Sequence, residues 1–186
     1  IRDSSPSRGL GDVYKRHYNY VSEIGGVILN ANFPRSYTDP NRAETDFPSE
    51  ELTEVKIKDD KILFNPTIKS ELGIGLIWLR IPPNGEPMYA NKIKFSEFIH
   101  RVKNYHRPYH ETLKEIMSST YQNFGKFYHI NAHSMQNQAT AMSDQEKGTK
   151  RPDFVIGDRN GTSCKREFTD LIVDFLRSLN YSVDIN

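Results

Sequence analysis

Phe154-Val155-Ile156-Gly157-Asp158 opens a stretch that runs through Phe168, Leu171, Ile172, Phe175, Leu176 and Leu179 to Tyr181-Ser182-Val183-Asp184-Ile185. Three apolar residues in a row before Gly-Asp read as a short strand buried on both faces, since a strand with one wet face would alternate. The next six recur at three- and four-residue intervals, which places them on one face of a helix. Residues 181–185 read as a closing strand. Strand, helix, strand is the pattern from which α/β folds are assembled.

The same alternation holds further out. Val13, His17, Tyr20, Val21 and Ile24 have helical spacing, with Gly25-Gly26 as the stop. Val27-Ile28-Leu29 predicts a short buried strand. Residues 43–70 are polar and weakly patterned, with a small hairpin expected around Asp59-Asp60. Ile74 to Ile81 is apolar and β-branched enough for a strand, bounded by Gly73 and Pro82-Pro83. Phe95, Phe98, Ile99, Val102, Tyr105, Tyr109, Leu113, Ile116 and Met117 mark a helical region ending at Gly125. Pro108 lacks a backbone donor and crowds the preceding turn, so a kink or two abutting helices are expected there. Phe127 to Ala132 reads as a strand and residues 136–150 as a polar loop. The expected fold is α/β: one domain over residues 1–186, with a central sheet covered by helices on both faces.

Composition narrows the function. With 25 basic and 24 acidic residues, nothing in the charge balance argues for nucleic acid or a membrane surface. No apolar run approaches the roughly 20 residues of a spanning helix. Residues 1–8 have no apolar core of a signal peptide, and a single cysteine excludes an internal disulfide framework. A soluble cytoplasmic domain is the expectation. Beginning on Ile1, the chain is expected to lack its natural start.

In α/β sheets, ligands bind beyond the carboxyl ends of strands. Three polar clusters follow expected strands: Asn41-Arg42, His133-Ser134 and Gly157-Asp158. His133 is the candidate metal ligand, because a neutral imidazole at a strand end can hold zinc while a neighbour orients its second nitrogen. A lone histidine is more often a satisfied core residue. Arg42 offers a planar fork for a carboxylate, and Asn41 an adjacent amide. The bland alternative is a turn, with Arg42 paired to Glu44 or Asp46. Arg151 is a candidate second cationic contact, against a solvated arginine. Asp158 is a candidate for orienting a ligand histidine or a substrate ammonium, against a turn aspartate. His106 and His110 stand four apart on one helix face, but no glutamate lies between them and Pro108 does, so a helical zinc pair is disfavoured. His129 lies one layer too deep for a strand-end ligand, and Cys164 reads as a buried free thiol.

Three blocks carry a family resemblance. They are Pro34-Arg35-Ser36-Tyr37 running into Asp39-Pro40-Asn41-Arg42-Ala43-Glu44; Tyr105 to Leu113 with Arg107-Pro108-Tyr109-His110; and His133-Ser134-Met135 with Arg151 to Cys164. The chain resembles the N-formylglutamate amidohydrolases from the helix before Gly25 to Asn186. The resemblance implies a zinc-dependent hydrolase of histidine breakdown that releases formate and glutamate. It also implies a three-layer α/β/α fold with a central mixed sheet, akin to the zinc carboxypeptidases. By the same kinship, His133 is the last of three protein zinc ligands. Asn41 and Arg42 grip the substrate carboxylate, with Ser134, Arg151 and Asp158 as further substrate contacts. The family opens with a strand ending in histidine-serine-glycine and then a ligand glutamate. Neither is found; His17 is the one histidine before residue 100, in helical context. Asn131 stands where the family usually has aspartate, and the segment with the general-base glutamate would follow Asn186. The chain is therefore expected to lack terminal segments of the family. Two alternatives remain: a hydrolase of another N-acyl amino acid, and a metal-free protein binding an acidic metabolite.

Overall fold

A computed structural model describes residue 18 and residues 20–55, 63–143 and 145–186. Most of the helix expected from Val13, including His17, and the hairpin around Asp59-Asp60 lie outside the described residues. The chain divides into two compact units, Ile1–Ile130 and Asn131–Asn186.

In the first unit, a short helix, α1 (Tyr20–Glu23), is followed by Gly25, whose φ of +85° favours a residue without a Cβ. The core gathers Phe47, Leu52, Leu76, Ile77, Ile93, Phe98 and Val102. Phe98 is its hub, with ring centroids 5.3 Å from Phe47 and 5.4 Å from Phe64. Strand β1 (Leu52–Thr53) pairs in parallel with β4 (Ile93–Lys94), while β2 (Arg80–Ile81) and β3 (Glu86–Pro87) form a separate antiparallel pair. A short helix, α2 (Ile68–Glu71), is held by a reciprocal cap. The Thr67 side chain accepts from the Lys69 amide at 3.2 Å, and the Thr67 amide donates to Ser70 Oγ at 2.8 Å. Buried Asp46 also accepts from the Thr67 amide and hydroxyl, at 2.8 and 3.1 Å. Gly75 passes so close that an added Cβ would lie 2.5 Å from Ser70 Cβ and 2.7 Å from the Asp46 carbonyl.

The long helical region has three parts: α3 (Phe95–Arg101), a π-helical turn (Val102–His106) and α4 (Arg107–Phe124). The chain keeps its helical course past Pro108, and the irregularity falls just before it. A wide turn accommodates a residue that cannot donate and whose ring crowds the carbonyl four residues back. Gly125, at φ +68°, caps α4 by donating to the Tyr121 carbonyl at 2.7 Å. α3 is anchored by Arg101, which is buried beneath Tyr37 with its guanidinium carbon 4.1 Å from the ring centroid. Its donors reach Glu97, the Tyr37 carbonyl and the Tyr89 hydroxyl at 2.7, 3.1 and 3.0 Å. Burial works against that charge, and the bonds from Tyr89 and Glu97 outweigh it, raising the group's pKa.

The second unit has the expected strand, helix and strand, but Phe154 is exposed and Val155 and Ile156 are half-buried, so the first strand is not buried on both faces. β5 (Phe154–Ile156) pairs in parallel with β6 (Val183–Ile185), and α5 (Arg166–Ser178) is the crossover between them. Thr169 and Val173 supply its buried residues, whereas Leu171 and Phe175 are exposed.

Three expected strands are corrected. Val27–Leu29 and Phe127–Ala132 carry no ladder, and of the run from Ile74 to Ile81 only Arg80–Ile81 is strand, the rest being a tight turn that buries Leu76 and Ile77. An apolar run records a demand for burial, and a strand also requires a neighbour whose amides and carbonyls meet it. The sheets among the described residues have two strands each, so the class is mixed α and β with small parallel and antiparallel sheets. No helix among the described residues is long and apolar enough to cross a membrane.

Candidate functional site

Asp39 organises the loop that bears Asn41 and Arg42. Its side chain is 1 % exposed, and its Oδ2 accepts from Arg35 Nε at 2.8 Å while lying 3.9 Å from Arg42 Nε. Its Oδ1 accepts from the Asn41 amide at 3.0 Å, and its carbonyl accepts from the Arg42 amide at 3.0 Å. An aspartate bonding its own backbone two residues on, ahead of Pro40, is the turn chemistry the sequence suggested. The paired partner differs, however. Glu44 belongs to Arg107, Asp46 to Thr67, and it is Asp39 that stands behind the Arg42 guanidinium. Arg42 Nε is buried and has no hydrogen-bond partner among the described residues. A charged donor with unspent hydrogen-bonding capacity, on a half-buried side chain, is chemically suited to an anion.

The other side of the loop is held by the junction of the π turn and α4. His106 Nε2 lies 2.8 Å from the Arg42 carbonyl and His110 Nε2 lies 2.9 Å from the Pro40 carbonyl. A carbonyl only accepts, so both imidazoles donate from Nε2. Arg107, between them in sequence, binds Glu44 through Nε at 2.9 Å and Nη2 at 3.3 Å. Those bonds hold the Glu44 carboxyl below the usual carboxylate range. Burial pushes the His106 imidazole below its ordinary pKa, reinforced by the adjacent His110 and opposed by the Arg42 carbonyl. The two ring centroids lie 4.4 Å apart, with their planes tilted by 47°. A shallow groove starts at His110 and follows α4 past Lys114 and Tyr121 to Phe127.

In the second unit, His133 and Ser134 are exposed and belong to no strand or helix. Arg151 is half-buried, donating to Gln145 Oε1 at 2.9 Å and Ser143 Oγ at 3.0 Å. Asp158 is turned inward at the end of β5. Its Oδ1 accepts from the Gly161 amide at 2.8 Å, its Oδ2 from the Thr169 hydroxyl at 3.4 Å, and its carbonyl from the amides of Thr162 and Ser163. Those bonds support Arg159, Asn160 and Gly161, all in the left-handed region with φ of 54°, 56° and 75°. Cys164, half-buried, lies 3.3 Å from the Thr169 hydroxyl.

The structure therefore brings Asn41 and Arg42 together with Asp39, His106 and His110 in the first unit. Arg151, Asp158, His133 and Ser134 lie in the second. Sequence reasoning set His106 and His110 aside because it tested them as a metal pair. Their four-residue spacing beside Arg107 was the available signal, and it marks one helix face, whatever that face binds. Among the described residues, no three His, Cys, Asp or Glu side chains gather as a metal site would require.

A family model described as N-formylglutamate amidohydrolase matches residues 10–186. N-formylglutamate deformylase of Pseudomonas putida is 26 % identical over 149 residues, covering 79 % of this chain and 47 % of the relative. The Pseudomonas aeruginosa protein of the same name is 24 % identical over 151 residues, covering 80 % and 48 %. The crystal structure of N-formylglutamate amidohydrolase from Ralstonia eutropha JMP134 superposes with a TM-score of 0.83 at 35 % identity, covering 99 % of this chain and 65 % of that one. The chain thus spans about half the length of the curated relatives it matches. With the family match extending over nearly every residue, from the loop around Arg42 to the end of β6, the chain belongs to the N-formylglutamate amidohydrolase family.

Proposed function

We propose that this protein is a hydrolase that cleaves N-formyl-L-glutamate to formate and L-glutamate, as a step of histidine degradation. The observation that carries the reading is the Asp39–Arg42 loop, where a buried carboxylate stands behind a guanidinium whose Nε has no hydrogen-bond partner among the described residues. A substrate with two carboxylates and one amide needs such a fork to fix it, and Arg42 would bind one carboxylate while exposed Asn41 donates from its amide. Arg151 would add a second positive charge, and Ser134 a hydroxyl. Asp158 would act through the turn it holds, since both its oxygens are engaged.

Zinc is the proposed cofactor, with His133 as one of its ligands. A catalytic zinc needs three protein ligands and an open position. Among the described residues no three such side chains gather, so they do not by themselves complete such a centre. What these residues do is bind and orient: with the glutamate half clamped at Arg42, the formyl amide is the only part of the substrate left to present to a catalytic group.

The family match continues across both compact units, which supports their belonging to one amidohydrolase domain. For the fold, the proposal is a three-layer α/β/α arrangement with a central mixed sheet. A cytoplasmic setting suits a chain with one free cysteine. The test is turnover by the full-length gene product, comparing N-formyl-, N-acetyl- and N-succinyl-L-glutamate, with zinc content measured on the wild type and His133→Ala. The reading expects preference for the formyl compound and loss of stoichiometric zinc in the variant. Full zinc in His133→Ala rejects the ligand, and faster turnover of another acyl group rejects the substrate.

A further inference from the structure

The loop bearing Arg42 is held from outside as well as by Asp39. Two of its carbonyls end on imidazole N–H groups, at Arg42 itself and at Pro40 two residues earlier, and Glu44 is gripped by Arg107. All three holding residues come from one short helical segment, 106–110. His106 is 6 % exposed, so water cannot simply replace its bond to the carbonyl. Since Nε2 of each ring donates to a carbonyl, neither ring presents that nitrogen to a metal. The bond from His106 lands on the same residue whose guanidinium forms the anion site, fixing the backbone from which that side chain projects.

We infer that His106, seconded by His110, is a positioning residue for substrate binding: through the carbonyls of Arg42 and Pro40 it aims the Arg42 guanidinium at the substrate carboxylate. The inference rests on the reading of Arg42 as the carboxylate clamp. It separates His106 from a core histidine, whose loss would lower stability and activity without regard to Arg42. It also predicts that a side chain able to donate to the carbonyl will do part of the same work.

The experiment measures kcat and KM for N-formyl-L-glutamate with the full-length protein and the variants His106→Leu, His106→Gln, Arg42→Ala and the Arg42→Ala/His106→Leu double. Losing one well-placed buried hydrogen bond predicts that His106→Leu raises KM about tenfold with kcat within about twofold. His106→Gln, whose amide can donate, recovers at least part of that loss. In the Arg42→Ala background, His106→Leu changes KM by less than about twofold, because the group it aims is gone. An unchanged KM, a fall in kcat alone, or the same penalty with and without Arg42 overturns the inference while leaving the proposed function standing. Wild-type protein that neither binds nor hydrolyses N-formylglutamate overturns both. Should His106→Leu fail to fold, half-buried His110→Leu takes its place, with about a threefold rise in KM that also vanishes in the Arg42→Ala background.

Discussion

Arg42 and His106 show how little separates a turn residue from a binding residue. The Asp39-Pro40-Asn41 turn forms for ordinary local reasons, an aspartate accepting from an amide two residues on. What sets Arg42 apart is that its Nε has a counter-charge behind it and, among the described residues, no hydrogen bond of its own. Removing the guanidinium should cost a charge-assisted interaction of about 1.5–3 kcal/mol, so Arg42→Ala is expected to raise KM for N-formylglutamate by roughly 10- to 150-fold. Zinc content should be unchanged; parallel loss of metal would assign the residue elsewhere. His106 makes a second prediction at this scale. Burial lowers its pKa in the folded protein below the ordinary 6.5, with His110 adding to the effect and the Arg42 carbonyl, Glu44 and Asp39 opposing it. The unfolded chain therefore takes up more protons as pH falls below about 6.5, and folding stability present above that pH is lost on acidification. Glu44, lowered from 4.5 by Arg107, adds an acid loss of its own only as pH approaches that lower value. Urea midpoints between pH 7.5 and 5 should fall for the wild type and stay flatter for His106→Gln. Equal slopes would show that His106 keeps its ordinary affinity for protons.

At the scale of elements, sequence reading succeeded where the signal was local. The spacing of Phe168 through Leu179 produced α5, Gly125 ended α4, and the irregularity expected from Pro108 appears as the π turn before it. It failed where an element needs a distant partner. Ile74 to Ile81 has a strand's composition, yet Leu76 and Ile77 are buried by a turn packed on Phe47 and Phe98. Capping is the element-scale feature most open to test. Thr67 serves the Lys69 amide at the start of α2 and also donates to buried Asp46. Thr67→Ala removes both bonds and is expected to cost about 1–2 kcal/mol, read as a lower denaturation midpoint. A variant as stable as the wild type would mean that the helix start is held by Asp46 and the Thr67 amide alone.

For the whole molecule, the division at Ile130–Asn131 coincides with an exposed stretch lacking regular structure, from about Gly125 to Gln136. Exposed chain between packed units is where proteases cut first. Limited trypsin digestion is therefore expected to cleave first after Lys126, yielding a fragment that ends there; a first cut within 80–120 would contradict the division. What the sequence alone determined follows from near-neighbour physics: the strand–helix–strand of residues 154–185, the helical course of 95–124, and the turn that carries Asn41 and Arg42. Periodicity, glycine stops and aspartate turns act over a few residues, so they are legible without the fold. Tertiary structure alone decided which apolar runs found strand partners, which carboxylate stands behind Arg42, and that His106 and His110 close on a loop more than sixty residues away. Those outcomes depend on hydrogen-bond partners brought together by packing, and one residue's chemistry does not say which distant carbonyl will meet it.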